Sequence, residues 1–325
     1  DDAFYRGLGG GRFEDATRKA GLAGFGGRGL GVVATDADAD GDPDIYVAND
    51  LDPNFLFRNK GDGTFEEIGA IAGCAYSEDG KEQSGMGIAV GDYDNDGAFD
   101  LFVTNFQNEP NALYDNEGPA FFFDRSTTSG LGPPSLPLLG WGTAFFDYDR
   151  DGWLDVFVAN GHTESDIALV DQLATWKQRA LLHRNRGDGT FALVGAGEAP
   201  ELAVPRAGRG TAFGDLDDDG DVDIVVSGQL GPATVLENVA ETRRRWIGFE
   251  LDEIGAVVEV VAGGKTQLRE VAAGGSYLSG NDRRCLFGLG DADQVQAVTL
   301  RSRGRTRALG ALPVDRYHRI PPESR

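Results

Sequence analysis

One nine-residue phrase, DxDxDGxxD, occurs four times along the chain. The copies are DADADGDPD at 36–44, DYDNDGAFD at 92–100, DYDRDGWLD at 147–155 and DLDDDGDVD at 215–223. Carboxylates at positions 1, 3 and 5 of such a phrase gather on one side, the Gly at 6 permits a left-handed turn, and the Asp at 9 closes over the pocket. An all-oxygen set of this kind suits a hard cation, calcium above all, with the carbonyl of position 7 as a further ligand. The expected ligands are Asp36, Asp38, Asp40, Asp44 and the carbonyl of Asp42 in the first loop, and Asp92, Asp94, Asp96, Asp100 and the carbonyl of Ala98 in the second. In the third they are Asp147, Asp149, Asp151, Asp155 and the carbonyl of Trp153, and in the fourth Asp215, Asp217, Asp219, Asp223 and the carbonyl of Asp221. Position 4 is expected to face outward. A solvated acidic turn explains a single copy as well as a metal site does, but four aligned copies favour the metal.

A helix–loop–helix calcium site opens in the same way and then requires a bidentate Glu at position 12. Here position 12 is Val47, Val103, Val158 or Val226, each inside an apolar β-branched run, so the loops join strands. The first aspartates are 56, 55 and 68 residues apart. A period of this size is a propeller signature. Each unit opens with GxG and a short apolar strand, at Gly29, Gly85, Gly140 and Gly208. A second strand follows the loop (DIYVAN, DLFVTN, DVFVAN, DIVVSG), then a third that leads through turn residues to an aromatic opening the fourth, as in FLFRNKGDGTF.

The opening FYRGLGGGRF aligns with LFRNKGDGTF and reads as the outer half of a blade. The fold expected is all-β: an N-terminally incomplete propeller at 1–242, with a half blade at 1–25 and blades from about 29, 85, 140 and 208, in a fold that runs from about four to eight blades. The extra length of the third unit falls at 166–182, DIALVDQLATWKQRALL, whose apolar spacing predicts one helix protruding from the rim and a candidate partner surface. From about Arg243 the loops stop and apolar and polar residues alternate around glycines, which predicts a small antiparallel β domain at 243–325.

The net charge of −23 argues against nucleic acid or acidic lipid as a partner. Four divalent ions would reduce it to −15, and positions 1, 3, 5 and 9 of the loops hold sixteen of the 53 acidic residues. No apolar run has the length of a membrane span and no leader opens the sequence. Met86 is the only methionine, so the chain is expected to be processed, trimmed or part of a longer one. Cys74 and Cys285 are expected as buried free thiols, and His162, His183 and His318 share no zinc-ligand spacing. No GxSxG elbow or HExxH helix is present, and whether the chain is an enzyme stays open.

The four loops with their GxG strands resemble the FG-GAP/VCBS repeats of integrin-like propellers. The tail, with IGAVVEV, REVAAGGSYLSGND and FGLG, resembles the ASPIC/UnbV domain of the cartilage acidic protein-like family. It departs from that pattern at Gly280, at Cys285 and in RSRG at 301–304. The resemblance implies a protein loaded with four calcium ions, extracellular or periplasmic, with a binding or scaffold role toward a protein, glycan or small molecule. The UnbV name also implies a second reading, a natural-product biosynthetic enzyme. Its pocket would be the propeller axis, ringed by the residues between the paired glycines, Leu30, Met86, Trp141 and Arg209.

Overall fold

The computed structural model describes residues 2–240, 242–272, 274–302 and 304–321. It opens with an antiparallel hairpin, β1 (Tyr5–Gly9) and β2 (Arg12–Asp15), exposed throughout. The first blade comprises β3 (Gly29–Thr35), β4 (Asp44–Asp52), β5 (Phe55–Asn59) and β6 (Phe65–Glu67), with β7 (Gln83–Ser84) paired to the far end of β4. The second comprises β8 (Ile88–Gly91), β9 (Asp100–Val103), β10 (Ala112–Asn116) and β11 (Phe122–Asp124). The third comprises β12 (Gly140–Phe146), β13 (Asp155–Asn160), β14 (Leu181–Asn185) and β15 (Phe191–Leu193). The fourth has three strands, β16 (Gly208–Gly214), β17 (Asp223–Gly228) and β18 (Thr234–Leu236). In every blade the aspartate loop joins the first strand to the second, as the repeat predicts.

The middle strands do not alternate between buried and exposed. In β9 and β13 every residue is buried, because blades cover both faces of the sheet. Tyr46, Leu56, Ile88, Leu101 and Tyr114 form one inter-blade core. Phe102, Leu113, Val156, Val158 and Leu181 form the next, and Phe157, Phe213, Ile224 and Val226 a third. Each such side chain contributes about 1.5–3 kcal/mol by leaving water.

The paired glycines exist for close approach at the axis. A Cβ on Gly31 would lie 2.2 Å from the Met86 carbonyl oxygen, one on Gly87 2.0 Å from that of Trp141, and one on Gly142 2.6 Å from the Thr211 nitrogen. The second glycine of each of the first three pairs thus abuts the backbone of the next blade. At Gly210 the neighbour is the tail, with the Tyr277 carbonyl oxygen 2.8 Å from the same construction.

The tail has its own core and two sheets. Its strands are β19 (Trp246–Glu250), β20 (Val257–Ala262), β21 (Lys265–Glu270), β22 (Cys285–Gly288), β23 (Val295–Ser302), β24 (Arg305–Ala308) and β25 (Tyr317–Arg319). The sheet β21-β20-β23-β24 is antiparallel, whereas β19 and β25 pair in parallel, which the alternating pattern did not predict. Between β21 and β22 the residues 274–282 cross the inner strands as a strap. Ser276 exchanges backbone hydrogen bonds with Ile88, at 2.6 and 3.1 Å. Its Oγ accepts from the Thr143 nitrogen at 3.2 Å and donates to the Thr211 carbonyl at 2.7 Å. One serine therefore joins blades two, three and four.

Three other expectations meet the structure here. The segment 166–182 is not a helix: it holds a single 3₁₀ turn, Ile167–Leu169, and its end enters β14. Leu169, Val170 and Leu173 are exposed, so no neighbouring element covers the face a helix would need to bury. The segment is anchored instead by backbone pairing of Gln178 with Arg206. Cys74 and Cys285 are both free and buried. Within the RSRG turn, Arg303 lies outside the described residues.

His183 stands where the other third strands carry Phe57, Tyr114 and Leu236. It is buried, neither ring nitrogen has a hydrogen-bond partner, and burial pushes its pKa down to about 4. A depressed base takes up its proton more readily when unfolded, so stability is full above about pH 6.5 and is lost as pH falls toward 4. His183→Phe is expected to raise stability near pH 5 by about 1–3 kcal/mol and to flatten the acid limb, as read from urea unfolding between pH 4 and 8.

Candidate metal loops

Each loop is a lattice of carboxylates capped by its own backbone. Position 4 takes the left-handed conformation in all four, with φ between 60° and 62° at Ala39, Asn95, Arg150 and Asp218, and the Gly at 6 follows with φ from 84° to 98°. These turns aim amides inward. Asp147 accepts from the nitrogens of Asp151 and Gly152 at 3.0 and 2.8 Å, and Asp36 and Asp215 bind the matching amides of their loops. Position 5 accepts from the amide of position 7, at 2.8 to 3.0 Å in every loop, which fixes Asp42, Ala98, Trp153 and Asp221.

The buried Asp at position 9 has a distinct task. Asp155 accepts from the Tyr148 nitrogen at 3.0 Å and the Asn185 nitrogen at 2.8 Å, so it staples the loop to the third strand. Asp44, Asp100 and Asp223 repeat this contact with Asn59, Asn116 and Asn238.

Three of those asparagines also link blades. Asn116 Nδ2 donates to the Ala37 carbonyl at 2.9 Å, Asn185 Nδ2 to that of Tyr93 at 2.8 Å, and Asn238 Nδ2 to that of Tyr148 at 2.8 Å. Each donor thus reaches position 2 of the preceding loop. Position 4 does not simply face outward, a correction to the sequence reading: Asn95 donates to the Gly152 carbonyl at 3.0 Å, and Arg150 reaches the buried Asp221 at 2.9 Å.

Among the described residues four carboxylate groups could hold an ion, each with one oxygen per residue lying within 4.8 Å of the others. They are Asp36, Asp38 and Asp40; Asp92, Asp94 and Asp96; Asp147, Asp149 and Asp155; and Asp215, Asp217 and Asp223. Positions 1 and 3 converge in every loop, joined by position 5 in the first two and by position 9 in the last two. Burial, reinforced by neighbouring carboxylates, pushes Asp44, Asp92 and Asp147 up to about 7 and Asp94 to about 6. Asp92 is fully buried, and among the described residues neither of its oxygens meets a partner in good hydrogen-bond geometry, the Gly97 amide being close enough only to offset part of the effect of burial. Oxygen-only donors with a poorly partnered buried carboxylate suit a hard divalent cation.

The tail bears on the third and fourth loops. Arg244 pairs with Asp149 at 2.7 Å, Lys265 Nζ donates to the Asp151 carbonyl at 2.8 Å over the Trp153 ring, and Tyr317 Oη donates to Asp215 at 2.6 Å. A cavity of about 170 Å³ separates tail from blades, lined in part by Asp147, Arg269, Glu270 and Cys285.

The four axial residues do not open on one cavity. Met86 and Trp141 are buried with Leu139, and Tyr277 of the strap lies 4.8 Å from the Trp141 ring. Arg209 stacks on Trp141 at 4.4 Å and donates to the carbonyls of Gly161 and His162 and to Gln229. Leu30 lines a separate groove with Phe4, Leu22 and Val32. Sequence reading set the four around one cavity and missed the strap, which arrives from a distant part of the chain.

Stacked strand–loop–strand blades with an acidic loop in each define a class of repeat propellers built around candidate cation sites. The chain belongs to the FG-GAP-like repeat family, whose profile matches residues 36–103, 92–158 and 160–226, and an ASPIC and UnbV profile matches 250–325. It is 31% identical over 301 residues to cartilage acidic protein 1 of Homo sapiens, covering 87% of this chain and 42% of that protein. The Xenopus tropicalis protein of the same name is 30% identical, with coverage of 82% and 40%. The chain thus spans about two fifths of these relatives' length. A solved Agrocybe aegerita lectin aligns over 90% of this chain and 83% of its own at 16% identity, with a TM-score of 0.41, too weak a likeness to bear on function.

Asn185→Ala would orphan two buried carbonyls on different blades, those of Tyr93 and Leu154. It is expected to cost about 2 kcal/mol or more in urea unfolding, and Asn59→Ala, whose exposed donor reaches only Pro43, distinctly less.

Proposed function

We propose that the chain is a calcium-stabilised propeller module with a binding or scaffold role, acting outside the cytoplasm. The ligands are the aspartates at positions 1, 3, 5 and 9 of all four loops with the carbonyl of position 7. The observation that carries the reading is the clustering of carboxylates within reach of one ion in each loop, with Asp92 buried and poorly partnered. Without a cation such a cluster is relieved only by protonation or by opening the loop. Calcium supplies the missing positive charge, and the loops' backbone caps hold the oxygens in place for it. Open loops of this kind in extracellular modules bind calcium at about 10⁻⁴ to 10⁻³ M, which fits an exported protein, as does the cartilage name of its relatives. We place the propeller at 1–242 and the tail at 243–325. The partner is a protein, glycan or small molecule. For a biosynthetic enzyme with an axial pocket, Tyr277 packed over Trp141 is an obstacle, so binding is the preferred reading.

Calorimetric titration of the chelator-treated chain is expected to show four calcium ions, and Asp94→Ala three. Excess chelator at neutral pH is expected to lower the melting temperature. A melt that does not move would show that the ions play no structural part.

A further inference from the structure

Among the described residues the fourth blade has one strand fewer than the others, and a groove lies beside its last strand. In the first three blades a fourth strand pairs with the third and begins with an aromatic residue opposite the asparagine: Phe65 opposite Asn59, Phe122 opposite Asn116 and Phe191 opposite Asn185. That aromatic is seated on the preceding blade. The Phe65 nitrogen donates to the Ala20 carbonyl and the Phe191 nitrogen to that of Ser129, in the turns that follow the previous fourth strands. The Phe191 ring also stacks 5.7 Å from Tyr93, at position 2 of the preceding loop.

The fourth blade presents the same seat with no strand upon it. Among the described residues β18 pairs only with β17, and Val235 on it is exposed. Beside it runs a groove of about 1040 Å³. Its walls include Tyr148, the equivalent of Tyr93, together with Val194, Ala199 and Leu202 from the segment after β15, and Leu236 and Asn238 of the short blade. The ring that stacks on Phe191 and the asparagine opposite it therefore have counterparts here, in Tyr148 and Asn238.

We propose that this edge and groove take an extended segment of a partner protein, added as a fourth strand, with an aromatic residue opposite Asn238 and a Lys or Arg next, opposite Glu237. The charge follows from the first blade, where Arg58 and Glu66 face each other across the same pair of strands at 2.8 Å. Glu237 holds the Arg58 position, is exposed, and forms no ion pair among the described residues. Main-chain hydrogen bonds supply affinity in such strand addition, and the aromatic pocket and charge pair supply selectivity. The proposal extends the binding reading to a defined surface. It does not depend on which ion the loops hold.

The test uses the full chain in calcium and a labelled peptide, RGDGTFKLVG, which is residues 186–195 with the alanine after the phenylalanine changed to lysine. Fluorescence anisotropy is expected to show saturable one-to-one binding. A peptide with that phenylalanine changed to alanine is expected to bind at least tenfold more weakly. Glu237→Lys, an exposed change, is expected to weaken the lysine peptide about fivefold and to favour a peptide with glutamate in its place. No saturable binding, or binding indifferent to both the aromatic and the charge swap, would overturn the proposal. So would a chain that elutes as a dimer and excludes the peptide, because a second copy would then occupy the edge. A failed calcium titration with intact peptide binding would count against the metal reading alone.

Discussion

Carboxylates crowded into nine residues are the constraint on which the rest of the molecule is built. Like charges at this spacing repel, and burial makes the repulsion stronger. The chain answers with directed amides: left-handed turns at positions 4 and 6 turn backbone nitrogens toward positions 1 and 5. Position 9 also fastens the loop to the third strand. The loop is thus part of the blade's hydrogen-bond frame, and a candidate ligand set cannot be distorted without loosening a sheet.

The same frame runs between blades. In the second, third and fourth blades an asparagine at or just beyond the end of the third strand holds its own loop and the preceding one, so the loops form a chained series. At the axis a different device operates. Glycines let backbones touch, and each inner strand presses on the next until, at Gly210, the tail takes the place of a further blade. The ASPIC/UnbV segment is therefore a structural neighbour of the propeller and no mere appendage to it.

The repeat, the strands, the loops and the change of grammar near Arg243 were legible because each is written locally and several times. The asparagines were quoted in the sequence only as turn residues. Their role depends on a carbonyl one blade away, which no single repeat reveals. The helical spacing at 166–182 misled because amphipathic periodicity stabilises a helix only where something covers its apolar face. The sequence reading set Leu30, Met86, Trp141 and Arg209 around one axial cavity; Met86, Trp141 and Arg209 instead pack together beside Tyr277 and Leu30 lies in a separate groove, because the position of Tyr277 in space is not encoded by the repeat. The fourth unit was expected to carry the same four strands as the others, and its three-stranded sheet among the described residues shows only in the structure, beside the groove it leaves.

Ser276 gives the molecule a direction in time. It bonds to Thr143 and Thr211, 133 and 65 residues before it, and contacts of such long range close late because their loop entropy must first be overcome. During synthesis the blades emerge in order, each able to stack on the one before. The strap comes after all of them. Until it arrives the inner strands are aligned without a common pin, like the ribs of a fan before the rivet is set, and these four blades are locked together only after the last of them has been made.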